Sequence, residues 1–232
     1  MNKPQPTINL VADPYPPYQY EESGVIKGID HDIINAAFKE HRIEIRVQLF
    51  PWDECVSSIN EKRADGIFQI VRTPEREKDF VFSDPLRTAK TVFLRKLRSN
   101  IEIRNEKKLA EQLIGYKVGA LSGYSYNPEV DSLEEPIKKD FQDQGTMMRE
   151  LSDGRLDLVI MDLGVAYYLM DKMDIKDIER VPGYEKRRQL YVAFQRDLTE
   201  LRNLFNSGLD RVKKKGIYNT IFHTYGIKLG ST

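Results

Sequence analysis

Between residues 43 and 49 apolar and polar side chains alternate without a break, Ile43, Ile45, Val47 and Leu49 against Glu44, Arg46 and Gln48. A period of two puts every apolar side chain on one face, which makes this segment a strand with one dry side. On both sides the period becomes helical, with Ile33, Ile34, Ala37 and Phe38 upstream and Val56 and Ile59 downstream of Trp52-Asp53. A chain that switches between these periods over such short distances has to stack helices on a sheet. The switch recurs to the C-terminus. Strands are expected at 7–12, 66–71, 91–95, 117–121, 156–161 and 190–194, and helices near 105–113, 146–152, 163–171 and 198–214. The last helix opens with Asp197-Leu198-Thr199-Glu200, which predicts an Asp197 N-cap and a capping-box Glu200. This alternation predicts an α/β fold with mainly parallel sheets.

Charge and cysteine content remove several classes of function. Lys and Arg number 36, as do Asp and Glu, so the formal charge is zero and no broad attraction for nucleic acid exists. The longest stretch free of Asp, Glu, Lys and Arg, Gly216 to Ile227, is twelve residues, too short for a span of about 18. Cys55 is the single cysteine, which excludes an internal disulfide and a cysteine zinc cluster. The first six residues lack the apolar core of a secretory signal, which fits a cytoplasmic chain or a mature fragment equally.

Motifs of catalysis are missing. His31, His41 and His223 have no ligand-like spacing, and neither a G-x-S-x-G elbow, a Walker loop nor a G-x-G-x-x-G turn occurs. No catalytic residue, metal ligand or cofactor is expected. Three segments instead place polar and aromatic residues where a strand runs into a loop, the position at which open α/β sheets gather their sites. They are Tyr15-Pro16-Pro17-Tyr18-Gln19-Tyr20, whose prolines predict a stiff, extended loop, then Asp65 to Arg76 with Phe82-Ser83-Asp84-Pro85, then Gly154 to Asp162.

In their order and spacing these segments resemble the family 3 extracellular solute-binding proteins, the amino-acid receptors of bacterial ABC importers. Gly28-Ile29-Asp30-His31-Asp32 is similar to the family's G-F-D-x-D, and Thr73-Pro74-Glu75-Arg76 to its T-P-E-R. Lys117 to Ser125 is similar to its V-G-V-x-x-G-T-T and Gly154 to Asp162 to its G-R-x-D-x-x-x-x-D, and a closing helix precedes Gly216-Ile217-Tyr218. The resemblance implies a type II periplasmic-binding-protein fold. Lobe 1 would be residues 1–94 plus 192–232 and lobe 2 residues 95–191, joined by two crossover strands and closing on a ligand in the cleft between them. It also implies a periplasmic or cell-surface address, an amino-acid ligand, an ABC permease as membrane partner, and a monomer.

The site residues follow from the same resemblance. Arg76 would hold the ligand α-carboxylate through two charge-assisted hydrogen bonds. Gly123-Tyr124-Ser125 would open a helix whose free N–H groups face that carboxylate, and Asp162 would receive the α-ammonium. Tyr15 would lie over the ligand side chain, with Trp52, Gln69 and Ile70 as further wall residues. Simpler roles compete: Arg76 could pair with Asp79 or Asp84, Trp52 could belong to the core, and Asp162 could cap the helix after it. The chain departs from the family in a ligand loop one residue shorter, in Gln69-Ile70-Val71 where small residues are usual, in Leu86 where Tyr is common, and in an extra cation, Arg72. Bulk at Ile70 and the charge of Arg72 favour a small or acidic ligand over a basic one. Two alternatives share the scaffold. One is an enzyme resembling cyclohexadienyl dehydratase, with Glu54 as its acid or base. The other is a detached sensor domain, although a sequence ending just after the closing helix favours a free receptor.

Overall fold

The computed structural model describes residues 6–104, 108–122, 124 and 126–227. The chain divides into two compact units, residues 1–88 with 188–232 and residues 89–187. In chain order the first part of unit 1 holds β1 (Thr7–Ala12), β2 (Tyr20–Glu22), β3 (Val25–Lys27), α1 (Ile29–Lys39), β4 (Glu44–Leu49), α2 (Trp52–Asn60), β5 (Gly66–Ile70), a 3-10 turn (Arg76–Lys78) and β6 (Phe80–Phe82). Next come β7 (Arg87–Lys96), α3 (Leu109–Leu113), β8 (Val118–Leu121), α4 (Pro128–Asp131), β9 (Lys138–Phe141), α5 (Gln144–Ser152), β10 (Leu158–Asp162), α6 (Leu163–Lys172) and β11 (Ile178–Arg180). The chain then returns through β12 (Lys186–Gln195) to α7 (Thr199–Lys214) and α8 (Ile217–Thr224) of unit 1.

The strand order in unit 1 is β4-β1-β5-β12-β6. β1 runs parallel to β4 and β5, and β12 is antiparallel to β5 and β6. In unit 2 the order is β11-β7-β10-β8-β9, with β8, β9 and β10 parallel and β7 reversed against β10. The mainly parallel α/β expectation holds, with one reversed strand in each sheet. β4 keeps its alternation because it is an edge, so Glu44, Arg46 and Gln48 face water. β10 is buried along its whole length, as a strand covered on both faces must be. Its Leu158 and Ile160 enter one core cluster with Phe93 and Val118, while Val159 and Met161 enter another with Val92 and Leu94. In unit 1, Phe38 of α1, Phe194 of β12 and Phe205 of α7 pack ring to ring. Gly208 lets α1 come this close, since a Cβ there would lie 2.1 Å from the carbonyl oxygen of Ala37.

Two local expectations fail. α7 begins one residue later than the capping box requires. The Leu198 N–H closes a turn on the Gln195 carbonyl, and its own carbonyl takes the first helical bond, from Arg202. Leu198 is therefore the N-cap and has no side-chain acceptor, while Asp197 stands too early. The proline loop is also not extended. The Tyr15 N–H bonds the Gln19 carbonyl at 2.7 Å and the Tyr18 N–H bonds the Tyr15 carbonyl at 2.8 Å, which closes a tight turn.

Candidate functional site

β5 and α2 build a pocket of about 380 Å³ in unit 1, lined by Trp52, Asp53, Ile70, Arg76, Asp79 and Phe80 among others. Trp52 reaches it as the first residue of α2, which Pro51 starts by fixing φ at −52°. Arg76 arrives by a turn after β5. Its Nη1 donates to the Val71 carbonyl at 2.9 Å, and its guanidinium lies 5.4 Å from the Trp52 ring centroid. Among the described residues no carboxylate is within ion-pair distance of Arg76, so the simple pairing with Asp79 or Asp84 does not form. A guanidinium held by one carbonyl and a ring face keeps most of its five donors available to an anion. Trp52, Ile70 and Arg76 thus share one wall. A neighbouring hollow of about 500 Å³ shares Ile59, Asn60, Asp79 and Phe80 but none of the predicted site residues. Arg72, expected as an extra cation, is paired to Glu77 and its charge is offset.

Tyr15 does not line the pocket. Its ring stacks on Tyr18 at 6.0 Å and 10°, and Tyr18 in turn lies under the Arg87 guanidinium at 3.3 Å. The Arg87 Nε donates to both carboxylate oxygens of Asp30, at 2.7 and 2.9 Å, and the pair is buried, with side chains 2% and 0% exposed. The Asp30 N–H bonds the Tyr18 carbonyl. Gly28 is what allows that approach: at φ 130° a Cβ would lie 2.3 Å from the same oxygen. Arg87 is the anchor of the aromatic turn, and sequence reasoning passed over it. The available signal was Asp30 itself, which falls on the apolar stripe with Ile33, Ile34 and Ala37 and so requires a buried cation. Burial raises the Asp13 carboxyl above its ordinary range at the head of this turn.

In unit 2, Asp162 ends β10 with 3% exposure. Its Oδ1 accepts from the N–H groups of Gly164 at 2.9 Å and Val165 at 3.2 Å, which makes it the N-cap of α6. Asp157 directly precedes the same strand at the other end and accepts from the Lys117 N–H at 2.8 Å. Tyr124 is half-buried, its ring 4.9 Å from that of Tyr126, while Gly123 and Ser125 lie outside the described residues. The expected helix does not open at Tyr124. It opens at Pro128, where the Asn127 side chain already takes the Val130 N–H. The dehydratase-type candidate Glu54 is exposed on α2 and does not line the pocket. Among the described residues no group of three or more His, Cys, Asp or Glu could hold a metal, and no helix is long and apolar enough to cross a membrane.

The sequence model of the bacterial extracellular solute-binding proteins, family 3, matches residues 8–228. The chain belongs to this family. The arginine-binding extracellular protein ArtP of Bacillus subtilis is 26% identical over 207 residues, which cover 87% of this chain and 78% of that protein. The L-cystine-binding protein TcyJ of Escherichia coli K12 is 25% identical over 206 residues, 87% of this chain and 75% of that one. The crystal structure of the P235GK mutant of ArgBP from T. maritima superposes with a TM-score of 0.70 at 25% identity over 95% of both chains. The fold is that of the type II periplasmic binding proteins, and the names of family and relatives describe binding proteins rather than enzymes.

Proposed function

We propose that the protein captures an α-amino acid outside the cytoplasm, in the periplasm, and delivers it to the permease of an ABC importer. Arg76 carries this reading: a guanidinium at a mostly apolar pocket, without an ion-paired carboxylate of its own, is a receptor for the carboxylate of a small ligand. Trp52 and Ile70 form the wall from unit 1; Gln69 and Tyr15 stay in the proposal as ligand contacts outside that pocket, Tyr15 as the cover over the ligand side chain. Tyr124 and Asp162 are the proposed contacts from unit 2, Asp162 for the α-ammonium, while Ser125, proposed beside Tyr124, lies outside the described residues. In this reading Asp162 keeps the cap that its Oδ1 makes to Gly164 and Val165, since an ionised carboxylate accepts from several donors at once. Capture by closure of two lobes, 1–94 with 192–232 and 95–191, acting as a monomer, is part of the same reading.

With Arg72 neutralised by Glu77, the expectation of an acidic ligand loses one of its two supports, and a neutral or basic amino acid fits as well. The relatives named for arginine and cystine bracket that range. The experiment is calorimetric titration with the common L-amino acids and with the deaminated analogue of the tightest one. Tight binding of the amino acid and weak binding of the analogue supports the reading. Equal binding of the two removes Asp162 as ammonium receptor.

A further inference from the structure

Unit 2 contains a hollow of about 410 Å³ whose lining includes none of the predicted site residues. The lining is apolar at Ile103, Leu109 and Pro128 and polar at Asn127, Tyr184 and Lys186. Ile103 and Leu109 are buried members of a core cluster of unit 2. Tyr184 packs against the same cluster, its ring 4.9 Å from that of Phe93. The phenol is therefore held in place by the core and does not swing on a free side chain.

The direction of each hydrogen bond here follows from a helix cap. Asn127 is the N-cap of α4, so its Oδ1 accepts from the Val130 N–H, at 3.0 Å. That fixes the amide the other way round at Tyr184, where Nδ2 donates to the hydroxyl at 2.6 Å. The phenol oxygen is the acceptor in this bond, and its own proton finds no acceptor among the described residues. Burial raises the phenol above its ordinary value of 10, which keeps that proton on the oxygen. Lys186, two residues on, donates through Nζ to the Tyr126 carbonyl at 2.9 Å. Among the described residues no carboxylate is within ion-pair distance of it. One O–H and the remaining ammonium protons are thus tied to the adjacent residues Tyr126 and Asn127, at a hollow that is otherwise apolar.

The other charges of the lining are mostly offset. Arg104 pairs with Glu102, and Glu185 with Arg180 and Arg187. Glu129 accepts from the Ala110 N–H at 3.1 Å and keeps its negative charge without a cation among the described residues. An occupant with one negative charge can use Lys186, whereas a second charge would meet Glu129.

We propose that this hollow of unit 2 binds a small monocarboxylate with an apolar body. The carboxylate accepts from the Tyr184 hydroxyl and the Lys186 ammonium, and the body lies on Ile103, Leu109 and Pro128. The hollow shares no lining residue with the Arg76 pocket, so the inference does not depend on the amino-acid reading.

The test is an NMR titration of the intact protein at neutral pH with phenylacetate, phenylacetamide and phenylmalonate. Phenylacetate is expected to saturate with a Kd of about 1 mM or tighter, shifting the amide signals of residues 126–130 and 184–186. Phenylacetamide has the same shape without the charge, and phenylmalonate brings a second one. Each should bind at least about fivefold more weakly. Tyr184→Phe keeps the ring on Phe93 and should weaken phenylacetate about tenfold, as should Lys186→Met, which keeps the length of the stem. Arg76→Ala should change phenylacetate affinity by less than about twofold. Equal binding of phenylacetate and phenylacetamide overturns the inference in the wild-type protein, whether or not the variants fold. Phenylacetate affinity that survives both unit 2 substitutions and falls in Arg76→Ala also overturns it, and leaves the carboxylate receptor of unit 1 standing. No saturable binding up to about 10 mM overturns this inference alone.

Discussion

Two strand ends in this protein are built alike and finished differently. β5 in unit 1 and β10 in unit 2 are both buried hydrophobic strands that deliver polar groups to their C-terminal ends. At the end of β10, Asp162 is committed. It is buried, and two backbone N–H groups of α6 already point at it. At the end of β5, the groups are under-committed. Gln69 has a shielded oxygen with no donor, and Arg76 is held by one carbonyl and a ring face. The first arrangement stabilises the fold whether or not a ligand is present. The second leaves Arg76 donors that water or a ligand can take up. Ligand affinity should therefore depend most on unit 1 groups whose removal barely affects folding.

The largest effect should come from a committed group, as a benchmark. Arg87→Ala leaves Asp30 charged and buried without its cation and should cost about 3–5 kcal/mol of stability, read from the urea midpoint. A loss below about 1 kcal/mol would mean that burial alone does not commit a polar group here. Next comes Arg76→Ala, for which the opposite pattern is expected. Amino-acid affinity should fall by about two orders of magnitude, about 3 kcal/mol, with stability changed by less than about 1 kcal/mol. Comparable losses in both quantities would erase the contrast between the two strand ends. Asp162 then sharpens it. Asp162→Ala should cost about 1 kcal/mol through the lost cap of α6, whereas Asp162→Asn keeps the cap and removes only the charge. Stability near wild type with weakened binding in the Asn variant would show one carboxylate serving both roles. Unchanged binding would leave it a cap alone.

The smallest effect tests unit 2 by pH. Burial raises the Tyr126 phenol above its ordinary value of 10 while its oxygen accepts the Leu121 N–H. The folded state thus holds that proton to higher pH than the unfolded chain does. Its contribution is complete below pH 10 and is lost as pH rises above it. A urea midpoint that falls between pH 9 and 11, less steeply in Tyr126→Phe, is expected. Identical slopes would exclude Tyr126 as the cause.

Much of the architecture was legible because burial leaves a periodic trace. β4 alternates since one face is wet, and β10 reads as a solid apolar run since neither is. The elements that escaped are too short or too polar for a period to show. β6 and β11 have three residues each, and β9, Lys138–Phe141, carries three charged residues in four. The site was legible in part. Trp52, Ile70 and Arg76 meet in one pocket because α2 and the turn after β5 are local structures. Arg87 was invisible because its partner Asp30 is distant in sequence. The failed Asp197 cap shows a related limit, since a capping motif does not reveal which residue the preceding turn will consume.

The position of β12 carries a consequence for how the molecule is made. This strand lies inside the first sheet, bonded to β5 on one side and β6 on the other. All but its first two residues are synthesised after unit 2 has been completed. A growing chain therefore holds β1, β4, β5 and β6 with a gap where β12 belongs, and two sheet edges stay open for that interval. Unit 2, residues 89–187, is continuous and can fold as soon as it emerges. Unit 1 begins first and must finish last, so its open edges await a strand from the far end of the polypeptide.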